Sequence, residues 1–360
     1  LGSRLRKQSG TVEVNRAIFY KHSCYMHMKT HLILSIMIPA LFFSSCKKEQ
    51  GDCPQDVLMD YVDPEGNHVI VGTDGSAYLY SDDGCIYADL IFTPGFLEEH
   101  YLLTDSGTFI ITAEGPYPVA NNFTEDFEQD TFNDLFLFSL DETGKWWNHF
   151  TCQSPAFPEV EDYNALRDCI WAGTCEFTDN RLELASDPFE ASNQVLQCTA
   201  VAPSADMVTS KCSLESQLPF FRCGDDLWYE ARYCIWSGMP LTLVDFENSL
   251  FLGYPGPRVI LRDGVLAFEN KFGEKTGYEQ ATPVPVPVGE WFTLKVHLRF
   301  SDQADGQLEL WQDGVQLIST SGINIPSWNS IQNSLEVGIS ATQNDCVLLV
   351  DDVRLADAPF

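Results

Sequence analysis

Positive charge is scarce in this sequence. Lys and Arg number 21 against 52 Asp and Glu in 360 residues, a formal net charge of −31. Like charges repel along the whole approach path, so this balance disfavours nucleic acid, an anionic membrane surface and a polyanionic glycan as general partners, while leaving room for a local basic groove. Closely spaced C-x-x-C pairs with histidines nearby are absent, which argues against a structural zinc site. Helical periodicity is nearly absent as well, apart from one short stretch around Asp162 to Arg167. The one marked apolar run near the start, LILSIMIPALFF, is too short for a comfortable membrane span. What is there, 44% hydrophobic and 20% charged residues, is the composition of a globular protein.

The apolar run follows a basic stretch and stops at Ser44-Ser45-Cys46. A basic region, a short apolar region and small residues before a cysteine describe an export signal. The junction resembles a bacterial lipobox, and the following KKEQGD resembles lipoprotein starts of Bacteroidetes. The resemblance implies lipidation of Cys46, with residues 1–45 as extension and signal peptide and the mature chain tethered to the cell envelope. The membrane is then a partner through the lipid anchor only. In an exported chain, the ten cysteines after Cys46 read mainly as disulfides, with Cys53 and Cys85 paired in the first segment.

Residues 46–118 read as a small β-rich domain. HVIVGT, SAYLYS, CIYADLIF and GTFIITA are short strands separated by Asp-Gly and Gly-Asn turn signals, and Gly115-Pro116-Tyr117-Pro118 breaks the pattern. From 121 to 360 a second set of alternating strands runs to the end. Leu140 to Asn180 is irregular and reads as a long loop. In GEWFTLKVHLRF the alternation puts Phe292, Leu294, Val296, Leu298 and Phe300 on one face and Thr293, Lys295, His297 and Arg299 on the other. Asp305-Gly306 and Asp313-Gly314 bracket QLELWQ as turns.

The run GEWFTLKVHLRFSDQADGQLELWQDGVQL followed by VDDVRL resembles the closing half of the concanavalin A-like lectin/glucanase jelly roll. Within that superfamily it is most similar to the heparin-lyase-like polysaccharide lyases. FTEDFEQDTFND resembles the opening strand of such domains, which lies near the closing strand, here VLLVDDVRL. The resemblance implies an all-β fold: a concanavalin A-like jelly-roll sandwich preceded by a small β-rich domain. It also implies a glycan or polysaccharide as partner. In many such enzymes an acid of the closing strand and one of the opening strand hold a structural Ca2+. The matching positions are Asp351 and Glu128, with Asp126 as an alternative.

Retaining glucanases of the superfamily carry an E-x-D-x-x-E strand to flank the glycosidic bond with carboxylates. No such motif is present. The nearest substitute, Asp245-Phe246-Glu247, shares a strand face and reads as a solvated acidic pair. The lyases of the group need a base for the proton α to a uronate carboxylate and a cation to neutralise that carboxylate. Catalytic candidates are Tyr229, Arg232 and His297. Ligand-binding candidates are Arg258, Arg262, Lys271, Lys295 and Arg299, read as one basic face, although alternating cations also fit the solvated side of a strand. The sequence therefore reads as an exported, lipid-anchored envelope protein that binds a glycan or another surface ligand without catalysis. Its alternatives are a polysaccharide lyase acting on a uronate-containing glycan and a structural cell-surface module.

Overall fold

The structure is a computed structural model. It describes residues 119–360 except 140, 249–255, 272–276 and 327–329, together with short strands between residues 50 and 118. Cys46, the apolar run before it and the side chains of Cys53 and Cys85 lie outside the described residues.

Val57–Val62, His68–Gly72, Ala77–Ser81 and Gly84–Ala88 pair antiparallel in sequence order. Tyr101–Thr104, Gly107–Thr112 and Gly115–Pro118 form a separate three-stranded sheet. Ile110 and Tyr117 of this second sheet pack against the apolar core that follows.

That core lies between two eight-stranded antiparallel sheets, the layered arrangement of an all-β jelly-roll sandwich. The front sheet runs in the order His149–Thr151, Ser210–Ser216, Ile331–Thr342, Thr242–Asn248, Pro257–Arg262, Val265–Asn270 and Gly277–Tyr278, with Phe221–Arg222 also paired to Ile331–Thr342. The back sheet runs Arg181–Ser186, Gln194–Ala200, Cys346–Ala356, Asp226–Ser237, Trp291–Arg299, Gln307–Gln312 and Val315–Ser321. Phe123–Glu125 pairs with the closing strand Cys346–Ala356, as the two ends of the run were expected to do.

Side-chain alternation explains why these strands form these layers. Phe292, Leu294, Val296 and Leu298 are buried between the sheets, and so are Val244, Phe246, Leu335, Val337 and Ile339 from the facing layer. A register slip of one residue would turn each set toward solvent. Two hairpins close through Asp263-Gly264 and Asp313-Gly314, where both residues of each turn have positive φ, the conformation that matches strand twist.

Residues 141–180 are more ordered than a loop. They contain the strand His149–Thr151 and the helix Val160–Trp171, longer than the stretch around Asp162 to Arg167 that was expected. The helix is held by an aromatic cluster in which Trp171 meets Phe136, Phe138 and Phe150 edge-on at 5.4–5.6 Å. Its weak apolar period hid it, because the cluster comes from residues far outside one helical face.

The disulfide expectation is corrected among the described residues. Cys169 and Cys175 are bonded, whereas Cys152, Cys198, Cys212, Cys223, Cys234 and Cys346 are thiols. Five of these six are buried and behave as small apolar side chains, a role that spacing alone does not distinguish from bridging.

Candidate functional site

The outward face of the front sheet holds a row of ionisable side chains one strand apart. Register places His149 opposite Glu215, Glu215 opposite Glu336, Glu336 opposite Asp245, Asp245 opposite Arg258 and Arg258 opposite Glu269. Three carboxylates on adjacent strands repel one another and would weaken the sheet if left alone. Cations from neighbouring positions offset this. Lys271 Nζ lies 2.8 Å from Asp245 Oδ1 and also contacts Glu247. Lys211 Nζ lies 3.8 Å from Glu336 Oε2. Asp245, Glu247 and Glu336 each offer an oxygen within 4.8 Å of the others, the one such group of three among the described residues.

Hydroxyl groups complete the cluster. Ser213 donates to Glu336 at 2.5 Å, Ser340 donates to Asp245, and Ser334 donates to Glu215 at 2.7 Å. At the edge, His149 Nδ1 stands 3.1 Å from Glu215 Oε2, and its Nε2 faces the Arg167 guanidinium from the helix. Tyr163, one turn earlier on that helix, feels the charges of Lys211, Glu336, Glu215 and Arg167. The helix thus brings a phenol and a guanidinium to the open side of the sheet.

These surroundings push the acids apart. Burial alone would raise Asp245, but the Lys271 and Arg258 charges and the Ser340 hydrogen bond hold it at about 2. Glu215 is also held at about 2 against burial, chiefly by His149 and by hydrogen bonds from Gln217 and Ser334. Glu247 goes the other way. Burial raises it to about 7 against the Lys271 charge, with Asp245 and Glu336 adding to the rise. Glu336 is also raised, first by burial and against the Lys211 charge, with Asp245 and Glu215 adding to the rise. Lys211 is pushed up, first by Glu336. Burial raises Tyr163, so its phenol stays protonated at neutral pH. A carboxyl group that titrates near neutrality, a charged lysine and a protonated phenol on one face are the components of general acid–base chemistry.

The expected site residues divide differently. Arg258 and Lys271 belong to this cluster, and Arg262 sits beside it, bound to Glu269 and Glu279. Lys295 and Arg299 lie on the outward face of the back sheet, so the expected single basic face is two sets pointing away from each other. The acids that pair with most of them come from other strands: Glu269 with Arg258, Asp245 with Lys271, Asp226 with Arg299. Lys295 donates to the main-chain oxygen of Phe360 at 2.7 Å. His297 is on the back face too, between Asp226 at 2.8 Å and Glu309 at 2.7 Å. Arg232 contacts Asp351 and Asp352 and lies over the Trp291 ring. Tyr229 is fully buried in the core, its hydroxyl 2.6 Å from that of Tyr233, and reaches no ligand. Its strand parity points it inward, which corrects its candidacy. Tyr229, Arg232 and His297 therefore do not converge.

Glu128 and Asp351 approach one turn of chain. Glu128 accepts the Gln194 N–H at 2.8 Å, and Asp351 accepts from the Asn193 amide at 2.9 Å. Burial raises Asp351 to about 6 despite the Asn193 hydrogen bond, with Asp352 adding to the rise. Hard oxygen donors of this kind suit Ca2+, though each already has a protein partner.

Residues 222–354 match the polysaccharide lyase family model. Asp245, Glu247, Arg258, Lys271 and Glu336 all fall within that span. No curated protein matches the chain in sequence. Solved structures with a similar trace include an endo-β-1,4-glucuronan lyase from the fungus Trichoderma reesei, at 11% identity over 59% of this chain and 96% of that one with a TM-score of 0.42. An alginate lyase from Chlorella virus is 10% identical over 50% and 90%, with a TM-score of 0.37. An alginate lyase from Aplysia kurodai is 11% identical over 58% and 98%, with a TM-score of 0.35.

Sequence reasoning missed His149, Tyr163, Lys211, Glu215 and Glu336. The signal was available in KCSLE and in NSLEVGIS, where polar residues alternate with apolar ones; the second strand is buried throughout and the first is buried except at the half-buried Lys211 and Glu215. Polar residues that alternate in a central strand indicate an occupied outer face.

Proposed function

We propose that the chain is a polysaccharide lyase that cleaves a uronate-containing glycan by β-elimination on the outward face of the front sheet. This reading ranks ahead of glycan binding without catalysis. The observation that carries it is Glu247, titrating at about 7 beside Lys271 and within the field of Lys211, inside the span that matches the lyase family model. A buried ionised cluster is weak as a stabilising device, because desolvation offsets most of the attraction. Its chemistry gives it another use.

The reaction needs three groups. Lys211, with its side chain about one third exposed and its charge sustained by Glu336, meets the uronate carboxylate and makes the adjacent C–H more acidic. Glu247 takes that proton in its ionised form. The electron pair forms the carbon–carbon double bond, and the bond to the β glycosidic oxygen breaks. Tyr163 gives its phenol proton to the departing oxygen. Asp245 remains ionised and holds Lys271 against Glu247, which sets the proton affinity of the base.

We further propose that the protein is exported and lipid-anchored through Cys46, a reading supported by the sequence at Ser44-Ser45-Cys46. Unchanged membrane release on Cys46→Ser would refute it. The lyase reading is tested by screening glucuronan, alginate and heparin-like chains for ultraviolet absorbance of an unsaturated product. Product formation that Glu247→Gln abolishes supports the assignment. Turnover unaffected by that substitution removes Glu247 from it.

A further inference from the structure

The back sheet carries an aromatic recess that the front-sheet chemistry does not use. Trp228, Trp311, Thr293, Glu230, Lys295 and Gly314 line a shallow space of about 250 Å³ on its outward face. The two indoles lie 6.1 Å apart with planes 27° from parallel. Trp228 is backed by His297 at 4.0 Å and 13°, and His297 is fixed between Asp226 and Glu309. The platform is therefore held in place before any ligand arrives, which lowers the ordering cost of binding.

Charge is arranged around it with equal definition. Register runs Arg354, Glu230, Lys295 and Trp311 across four strands, so two cations flank one acid in a chain of strongly negative net charge. The Lys295 ammonium sits between the Trp228 ring, at 5.3 Å, and the Phe360 ring, at 4.7 Å, while the Arg354 guanidinium lies 3.8 Å from the Phe360 ring. A half-exposed indole face attracts the C–H face of a pyranose ring. Thr293 and Glu230 can bond its hydroxyls, and Lys295 can meet a carboxylate at its edge.

We infer that this recess is a second, non-catalytic binding site for one unit of a polyuronate chain. The choice of uronate rests on the lyase reading and on the two cations. The platform itself stands on geometry alone. Because the site is on the sheet opposite the proposed reaction, it holds long chains near the enzyme without touching the bond that breaks. Short oligouronides gain nothing from it.

The test uses the full chain with glucuronan and alginate polymers, short oligouronides and a neutral β-glucan. Affinity electrophoresis should show polymer binding by wild type that weakens at least about tenfold in Trp311→Ala. Lys295→Gln should weaken binding of the uronate polymers, and that binding should lose part of its salt dependence. Turnover of short oligouronides should be the same in both variants as in wild type. Trp311 lies next to the edge strand, and an unchanged cooperative thermal unfolding transition in each of the two variants guards against misfolding as the cause. Polymer binding that neither variant alters, or absence of polymer binding by wild type, overturns the proposal. Equal binding of the neutral β-glucan overturns the uronate assignment. Trp311-dependent binding without turnover would refute the lyase reading and leave this site standing.

Discussion

Replacing Glu247 by Gln should stabilise the protein at alkaline pH and leave it unchanged in acid. The folded-state titration of Glu247 is raised from 4.5 to about 7, first by burial and then by Asp245 and Glu336. A raised carboxyl favours the folded state only while it is protonated, so this contribution is fully present below pH 4.5 and is lost as pH rises to about 7. At about 1.4 kcal/mol per pH unit, the loss reaches about 3 kcal/mol at pH 8. The Glu247 side chain is 14% exposed, so solvent screens little of this. Glu336 is also raised in the same cluster, and its titration and that of Glu247 influence each other, which makes about 3 kcal/mol an upper bound. Gln keeps the shape of the protonated acid and leaves Lys271 its contact with Asp245 at 2.8 Å. Urea unfolding of wild type and variant between pH 4 and 8 reads the difference directly. A gap that opens above pH 5 in favour of the variant and levels off past pH 7 agrees with the argument. A variant less stable at pH 8, or a gap independent of pH, would mean that Glu247 is ionised at neutral pH and that Lys271 stabilises it.

Tyr163→Phe should lower turnover of a uronate polymer by about 10²–10⁴ while leaving the melting temperature nearly unchanged, because the half-buried phenol is assigned to proton transfer; steady-state kinetics beside thermal unfolding checks it. Thiol titration of the unreduced, denatured protein should find Cys152, Cys198, Cys212, Cys223, Cys234 and Cys346 reactive and Cys169 and Cys175 blocked, and a count below six would contradict the thiol assignment. Calcium should raise the melting temperature of wild type and not of Asp351→Asn, where the raised carboxyl is replaced by a neutral amide; equal responses would place Glu128 and Asp351 outside any ion site.

The sandwich was legible because its information is local. Alternation in the Trp291–Arg299 strand and the Asp313-Gly314 turn give period and hairpin within a dozen residues, and the structure keeps both. The pairing of Phe123–Glu125 with Cys346–Ala356 was legible only through resemblance, since the two strands are more than two hundred residues apart.

The candidate site was less legible for the opposite reason. Asp245 and Glu247 were recognised as sharing a face but read as solvated, because their cation Lys271 arrives from just past the strand Val265–Asn270 and Lys211 from the strand Ser210–Ser216. The cations between Arg258 and Arg299 were close in sequence yet belong to two layers, and sequence proximity says nothing about which sheet a strand joins. Tyr163 needed a helix whose aromatic packing partners, Phe136, Phe138 and Phe150, all precede it in the sequence.

The most direct test of the proposed reaction is the mass of its products. Incubation of wild type with a defined oligouronide should give a fragment lighter by one water than the hydrolysis product, with the double bond on the sugar that carried the abstracted proton. The Glu247→Gln variant should give none above background. Fragments carrying the added water in both would show hydrolysis instead and contradict β-elimination at this face.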